Sequence, residues 1–228
     1  EFYTAIKDSA WRISATYVID DNSDLNLQYE NYEDNGKGWT NVLSCELMKT
    51  RKGFTAKDRP ANTCTDILGS EDRYQSYANT PGFNQMNIDS FRAIYKRQLN
   101  ATTNLTVNYG YQELEQSSQF EIDGGVNYQY GMAFNINRLL TESNVLDAYI
   151  TGANSEWAWV GGVFTSTEDN DMLANFTAEL NGHDFFWQPN RELNHYAVYG
   201  QATYALRDDL FFTLGGRFSY DEKSDVGG

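Results

Sequence analysis

The fold is decided by the stretch Leu210-Phe-Phe-Thr-Leu-Gly-Gly-Arg-Phe-Ser-Tyr-Asp221. Its even positions up to Tyr220 are apolar or aromatic, with one glycine, whereas its odd positions after Phe211 are small or polar. Side chains that alternate in this way lie on the two faces of a β-strand. This stretch therefore predicts a strand with one apolar face and one mostly polar face.

The same alternation recurs along the chain, in pairs of segments that are joined by short polar turns. Short turns rich in Asp and Asn between alternating segments are typical of β-hairpins. The predicted hairpins cover residues 11–30, 91–112 and 196–221, and a weaker one joins about 130–140 to about 156–167. The sequence therefore predicts an all-β chain with about eight antiparallel strands.

The predicted strands have the length that a membrane crossing requires. They run for about nine to twelve residues, as tilted transmembrane strands do, whereas strands of soluble proteins average about five or six. Long segments at 34–88, 119–129 and 168–194 separate the hairpins. Bacterial barrels have short periplasmic turns and long extracellular loops. We therefore expect a transmembrane β-barrel wall with these three segments as extracellular loops.

Composition excludes two classes of function. The net charge of −15, from 17 Lys and Arg against 32 Asp and Glu, argues against nucleic-acid binding, which needs a basic face. The two histidines, His183 and His195, have no metal-ligand spacing, and His195 is expected to be a solvated residue at a strand start. We expect no catalytic site, metal or cofactor.

The two cysteines, Cys45 and Cys64, lie in one polar stretch that is poor in strand signals. An even number of cysteines in one loop favours a disulfide in an oxidising compartment. Two free thiols are the alternative.

The hairpin at 196–221 resembles a hairpin of TonB-dependent outer-membrane receptors. In that family an aromatic-Gly-Gln strand turns through acidic residues into a Thr-x-Gly-x-Arg-Tyr strand. Here the corresponding residues are Tyr199-Gly-Gln201 and Thr213-Leu-Gly-Gly-Arg217-Phe218. The stretch Trp157-Ala-Trp-Val-Gly-Gly-Val-Phe164 is similar to the family's Trp-Val-x-Gly strand, and residues 91–123 fit the same pattern.

The resemblance implies an active importer in the bacterial outer membrane. Such receptors have a barrel of about 22 strands around an N-terminal plug, so residues 1–228 would form part of the barrel domain, without the plug and the C-terminal strands. It implies contact with outer-membrane lipid and with the TonB complex, the latter through the plug. The implied ligand is an iron–siderophore complex by default, with an oligosaccharide or cobalamin as alternatives, and no cofactor is implied.

Aromatic residues of the expected extracellular loops are candidates for ligand contact, because loops on a rigid scaffold usually carry recognition. They are Trp39, Tyr74, Tyr77, Phe83, Phe185, Phe186 and Trp187. Packing of the loops against one another is the alternative role. Arg92, Lys96 and Arg217 are expected to face the lumen, where they would contact the plug or an anionic ligand, or pair with lumenal carboxylates.

Two rival functions remain open from the sequence. A passive porin or adhesin barrel would share the strand pattern but lack a plug. A secreted, soluble β-rich binding or enzyme domain would have shorter strands.

Overall fold

The computed structural model describes residues 7–38, 80, 82–121, 132–178 and 182–226. The predicted disulfide of Cys45 with Cys64 lies outside the described residues. Eight antiparallel strands form one sheet, and their order in the sheet is their order in the chain. They are β1 (Asp8–Asp20), β2 (Ser23–Asp34), β3 (Phe83–Asn100), β4 (Thr103–Glu121), β5 (Met132–Ala153), β6 (Trp157–Ala178), β7 (Gly182–Arg207) and β8 (Leu210–Val226). The all-β antiparallel prediction is confirmed.

The connections at one end of the sheet are short turns, and three of them share one device. The Asp20 carboxylate accepts a hydrogen bond from the Asn22 backbone N–H at 2.8 Å. The side-chain oxygens of Asn100 and Asn154 accept in the same way from N–H groups two residues further on, at 3.0 and 2.9 Å. Asp and Asn favour tight turns through this bond. The predicted turns thus form because a short polar side chain stands where each strand ends.

The pairing register makes the two faces continuous across the whole sheet. Residues directly opposite each other on antiparallel strands share a face, and successive residues alternate. One transverse row on the apolar face consists of Tyr17, Leu25, Tyr95, Val107, Ala148, Val163, Val198 and Phe218. Every member of this row is apolar or aromatic. The opposite face is mostly polar in the other strands, whereas in β6 it carries Ala158, Val160 and Phe164. The alternation read from one strand therefore extends to most of the sheet.

The apolar face has no second protein layer among the described residues. Phe218 is 76% exposed and Leu214 69%, and the buried hydrophobic residues are three alanines. Soluble monomers rarely expose an apolar surface of this extent. An outward apolar band is the feature by which transmembrane barrels contact lipid. No helix in the described part of the chain has the length and apolar character needed to cross a membrane.

The strands extend much further than the sequence predicts. β6 has 22 residues and β7 has 26. At a rise of about 3.3 Å per residue and a tilt near 45°, 22 residues reach roughly 50 Å, twice the apolar band of about 25 Å. The expectation of a loop over 168–194 is wrong, since β6 continues to Ala178 and β7 begins at Gly182. Parts of the expected loops at 34–88 and 119–129 are strand as well, because β3 begins at Phe83 and β4 ends at Glu121.

A row of carboxylates marks where the apolar band ends. On the same face as Val107, five acidic residues lie directly opposite one another on β3 to β7. They are Asp89, Glu113, Glu142, Asp169 and Glu192. Like charges placed directly opposite destabilise each other, and charges inside lipid cost more still. This row therefore lies in water, on the side of the sheet away from the short turns.

Candidate functional site

Six side chains on the polar face of β5 to β8 make the most connected group in the described part of the chain. We call them the polar-face network: Asp147, Phe164, His195, Tyr199, Arg217 and Asp221. The strand register brings them together. Phe164 lies opposite Asp147 on β5 and opposite Ala197 on β7. Tyr199 lies opposite Arg217, and His195 lies opposite Asp221. The network lies near the end of the apolar band that is away from the short turns. Tyr196 and Tyr220 lie at the same level on the other face.

Tyr199 connects β7 to β5 by crossing the strand between them. Its hydroxyl donates a hydrogen bond of 2.8 Å to Asp147. The ring passes over Gly162 of β6, where an added Cβ would lie 2.6 Å from the Tyr199 Cζ and hydroxyl oxygen. Contacts that short do not occur between real atoms, so any larger residue at 162 must displace the ring. Packing over Gly162 and the bond to Asp147 therefore both fix Tyr199 across the sheet.

Arg217 lies over two aromatic rings. Its guanidinium carbon is 5.3 Å from the centroid of Phe164 and 5.8 Å from that of Tyr199. A cation within about 6 Å of a ring face is attracted by the ring's quadrupole. The Nε–H donates to the Ser219 hydroxyl at 3.0 Å. The ion pairs found among the described residues do not include Arg217. The guanidinium is thus positioned by rings and neutral acceptors.

His195 joins Arg217 to Asp221. Its Nδ1 contacts the Asp221 carboxylate, and its Nε2 lies 3.0 Å from Arg217 Nη2. Arginine can only donate, so Nε2 accepts and the ring proton of neutral His195 is on Nδ1. The Phe164 ring meets the imidazole edge-on, with 5.4 Å between centroids. The expectation that His195 stands at a strand start is wrong, because it lies within β7. Its side chain is 25% exposed.

The three basic residues predicted to face the lumen all lie on the polar face. Arg92 lies opposite Gln28 and Gly110, and Lys96 lies opposite Asp24 and Thr106. Arg217 shares this face through Tyr199. The ion pairs found among the described residues include none of the three. On the same face, Arg12 forms an ion pair with Glu30 at 2.8 Å. The contacts predicted for the three residues with a plug or an anionic ligand stay predictions.

The four predicted aromatic ligand residues that the structure describes are not brought together on one surface. Phe83 begins β3, and Phe185, Phe186 and Trp187 lie in β7 instead of a loop. Phe185 and Trp187 lie opposite Asn175 and Leu173, on the same face as the apolar band and beyond its end, and both are exposed. Phe186 points to the other face. Trp39, Tyr74 and Tyr77 lie outside the described residues.

The described residues contain no group of three or more His, Cys, Asp or Glu side chains placed to hold a metal ion. The network offers hydrogen bonding, one guanidinium and the two carboxylates of Asp147 and Asp221. Its chemistry suits recognition of a polar group.

No protein-family model and no curated protein matches this sequence. Solved structures do match. The ferric yersiniabactin uptake receptor FyuA from Yersinia pestis matches 98% of this chain with a TM-score of 0.68 at 11% identity. The ferric-catecholate import receptor Fiu from E. coli K12 matches 96% with a TM-score of 0.67, also at 11% identity.

The chain spans 33% of the length of the first receptor and 35% of the second. At this level of identity the similarity shows the fold. The eight strands therefore have the fold of a section of a larger receptor barrel, and the resemblance to TonB-dependent receptors is confirmed at the level of the fold.

Proposed function

We propose that this chain forms part of the wall of an outer-membrane receptor that imports a scarce ligand with energy delivered through TonB. The observation that carries the proposal is the fold match, which extends over 96–98% of the chain in two uptake receptors. The apolar face of the sheet would contact outer-membrane lipid. The TonB complex would act through a plug segment that is not part of residues 1–228.

A ferric chelate is the first ligand to test. The two similar receptors are described as importing ferric yersiniabactin and ferric catecholates. An iron–siderophore complex therefore comes before an oligosaccharide or cobalamin. Arg92, Lys96 and Arg217 are proposed to face the lumen, and Phe83 and Phe186 remain candidates for ligand contact, with Phe185 and Trp187 less suited because they lie on the outer face.

Uptake in paired strains tests the proposal. The full-length protein is produced in a Gram-negative host that lacks its own siderophore receptors, in strains with and without TonB. Radioactive iron is supplied as a panel of ferric siderophores. We expect at least one complex to be taken up, and only in the strain with TonB. Equal uptake without TonB would contradict the proposal and indicate a passive barrel.

A further inference from the structure

We propose that His195 is a pH switch for Arg217. Neutral His195 holds the guanidinium over Phe164 and Tyr199, and protonation of His195 releases it toward the space that the polar face lines. The inference rests on the hydrogen-bond geometry of the wall, so it does not depend on the imported ligand or on TonB.

The switch follows from which atoms can donate. All guanidinium nitrogens of arginine are donors, so the 3.0 Å contact of Arg217 Nη2 with His195 Nε2 needs the lone pair on Nε2. The Nδ1–H then donates to the Asp221 carboxylate. Protonation adds a hydrogen to Nε2, which puts two N–H donors and two positive charges against each other. The contact between His195 and Arg217 cannot survive that change.

Asp221 decides which partner leaves. Protonation turns the bond between His195 and Asp221 into a pairing of opposite charges, and such bonds are roughly twice as strong as neutral ones. The imidazolium therefore stays with Asp221, and Arg217 moves. The other partners of Arg217 are the Ser219 hydroxyl and the two rings, none of which carries a negative charge that could hold the guanidinium against the repulsion of the imidazolium.

The other titratable and charged groups around His195 come from each neighbouring strand. Glu168 of β6 lies on the same face, diagonal to His195, and accepts a 2.7 Å hydrogen bond from Asn170. On β8, Lys223 bonds Asp225 at 2.8 Å. The remaining groups are Arg191 and Tyr199 of β7 and Asp147 of β5, which the Tyr199 hydroxyl engages. Asp221 and Arg217 are the groups in direct polar contact with the imidazole.

Released Arg217 gains free N–H donors on the polar face. Guanidinium donors match the oxygens of carboxylates, phosphates and sulfates. Sulfate is a suitable probe because its charge stays constant over the range in which histidine titrates. We therefore expect sulfate to perturb the Arg217 side-chain signals at acidic pH and to leave them unchanged at alkaline pH.

Nitrogen NMR of the full-length protein in detergent micelles tests the switch directly. Isotope-labelled histidine reports the tautomer, and labelled arginine reports whether the Arg217 N–H groups are held or averaged. Spectra are compared at about pH 8 and about pH 5, which span the usual range of histidine titration. We expect the Nδ1–H tautomer with held Arg217 signals at the higher pH, and averaged Arg217 signals at the lower one.

Two variants test whether the pH response of Arg217 depends on His195. His195→Gln offers an acceptor that does not titrate, so Arg217 should stay held at both pH values. His183→Gln removes the chain's other histidine and should leave the wild-type response intact. An Nε2–H tautomer at the higher pH, or pH-independent Arg217 signals in the wild-type protein, would overturn the proposal. So would a pH response that persists in His195→Gln.

Discussion

At the scale of single residues, the connection between β5 and β7 depends on the absence of a side chain at Gly162. An added Cβ there would lie 2.6 Å from the Tyr199 ring and 2.7 Å from Tyr149 Cβ. The neighbouring Gly161 lies on the other face, where the nearest atom to an added Cβ is 4.0 Å away. A methyl group therefore has room at position 161 and none at position 162.

Gly162→Ala is expected to destabilise the protein by about 1–3 kcal/mol, the usual cost of overpacking. The methyl group displaces Tyr199 and breaks its hydrogen bond to Asp147. The free energy of unfolding in urea, measured in lipid vesicles, checks this. Gly161→Ala is the matched control and should stay close to wild type; equal losses in the two variants would contradict the assigned role of Gly162.

The sequence predicts part of the polar-face network. Alternation along the strand is enough to place Arg217 on the polar face. The partners His195 and Tyr199 are harder to predict, because neighbours across strands depend on register. The two-residue turn at 208–209 pairs Arg207 with Leu210, but a register shift between Ala205 and Arg207 follows. The turn alone would therefore place His195 opposite Glu222, and the shift brings it opposite Asp221.

At the scale of the element, each strand works as a boundary between two environments. In β4, Val107 lies in the all-apolar transverse row, and the next residue, Asn108, lies on the polar face opposite Asp147. The same substitution therefore places its side chain in lipid at position 107 and on the polar face at position 108.

Val107→Arg is expected to cost about 2–4 kcal/mol, the penalty for arginine near the middle of the apolar band. Asn108→Arg faces a carboxylate and should be tolerated with a much smaller loss. Unfolding titrations of both variants in lipid vesicles measure the difference. If Asn108→Arg cost as much as Val107→Arg, the assignment of the two faces would be incorrect.

The hairpins could be predicted only where one face meets lipid. Between Thr165 and Asp171 both faces of β6 lie largely beyond the apolar band, so polar residues occupy both faces and the alternation disappears. In β5 the polar face carries Val145 and Tyr149, so apolar residues occupy both faces and the alternation is again weak. The strands continue there because backbone pairing to both neighbours needs no alternation.

Amide hydrogen exchange separates a strand from a loop in this region. Residues 168–178 of β6 pair with β5 on one side and β7 on the other, so their amides are expected to exchange slowly. Their protection from exchange should be weaker than that of residues 157–167, since residues 168–178 lie beyond the apolar band, where water reaches the strand. Exchange of 168–178 as fast as in an unfolded peptide would contradict the long hairpin.

At the scale of the whole molecule, contact with lipid on one side explains the exposed apolar face of the sheet. A single layer leaves aromatic and aliphatic side chains exposed from β1 to β8, and the acidic row bounds them on one side. Short turns bound them on the other. The proposed function therefore depends on the claim that the apolar face contacts lipid.

The most direct test is an electron-spin label placed in turn at each residue from Asn104 to Glu113 in the full-length protein, in lipid bilayers. Collisions with oxygen, which concentrates in lipid, are compared with those of a water-soluble reagent. We expect high oxygen access at odd positions 105 to 109, low oxygen access at even positions, and greater access of the water-soluble reagent at Glu113. Equal access at odd and even positions, or water access at Val107, would show that the apolar face does not contact lipid.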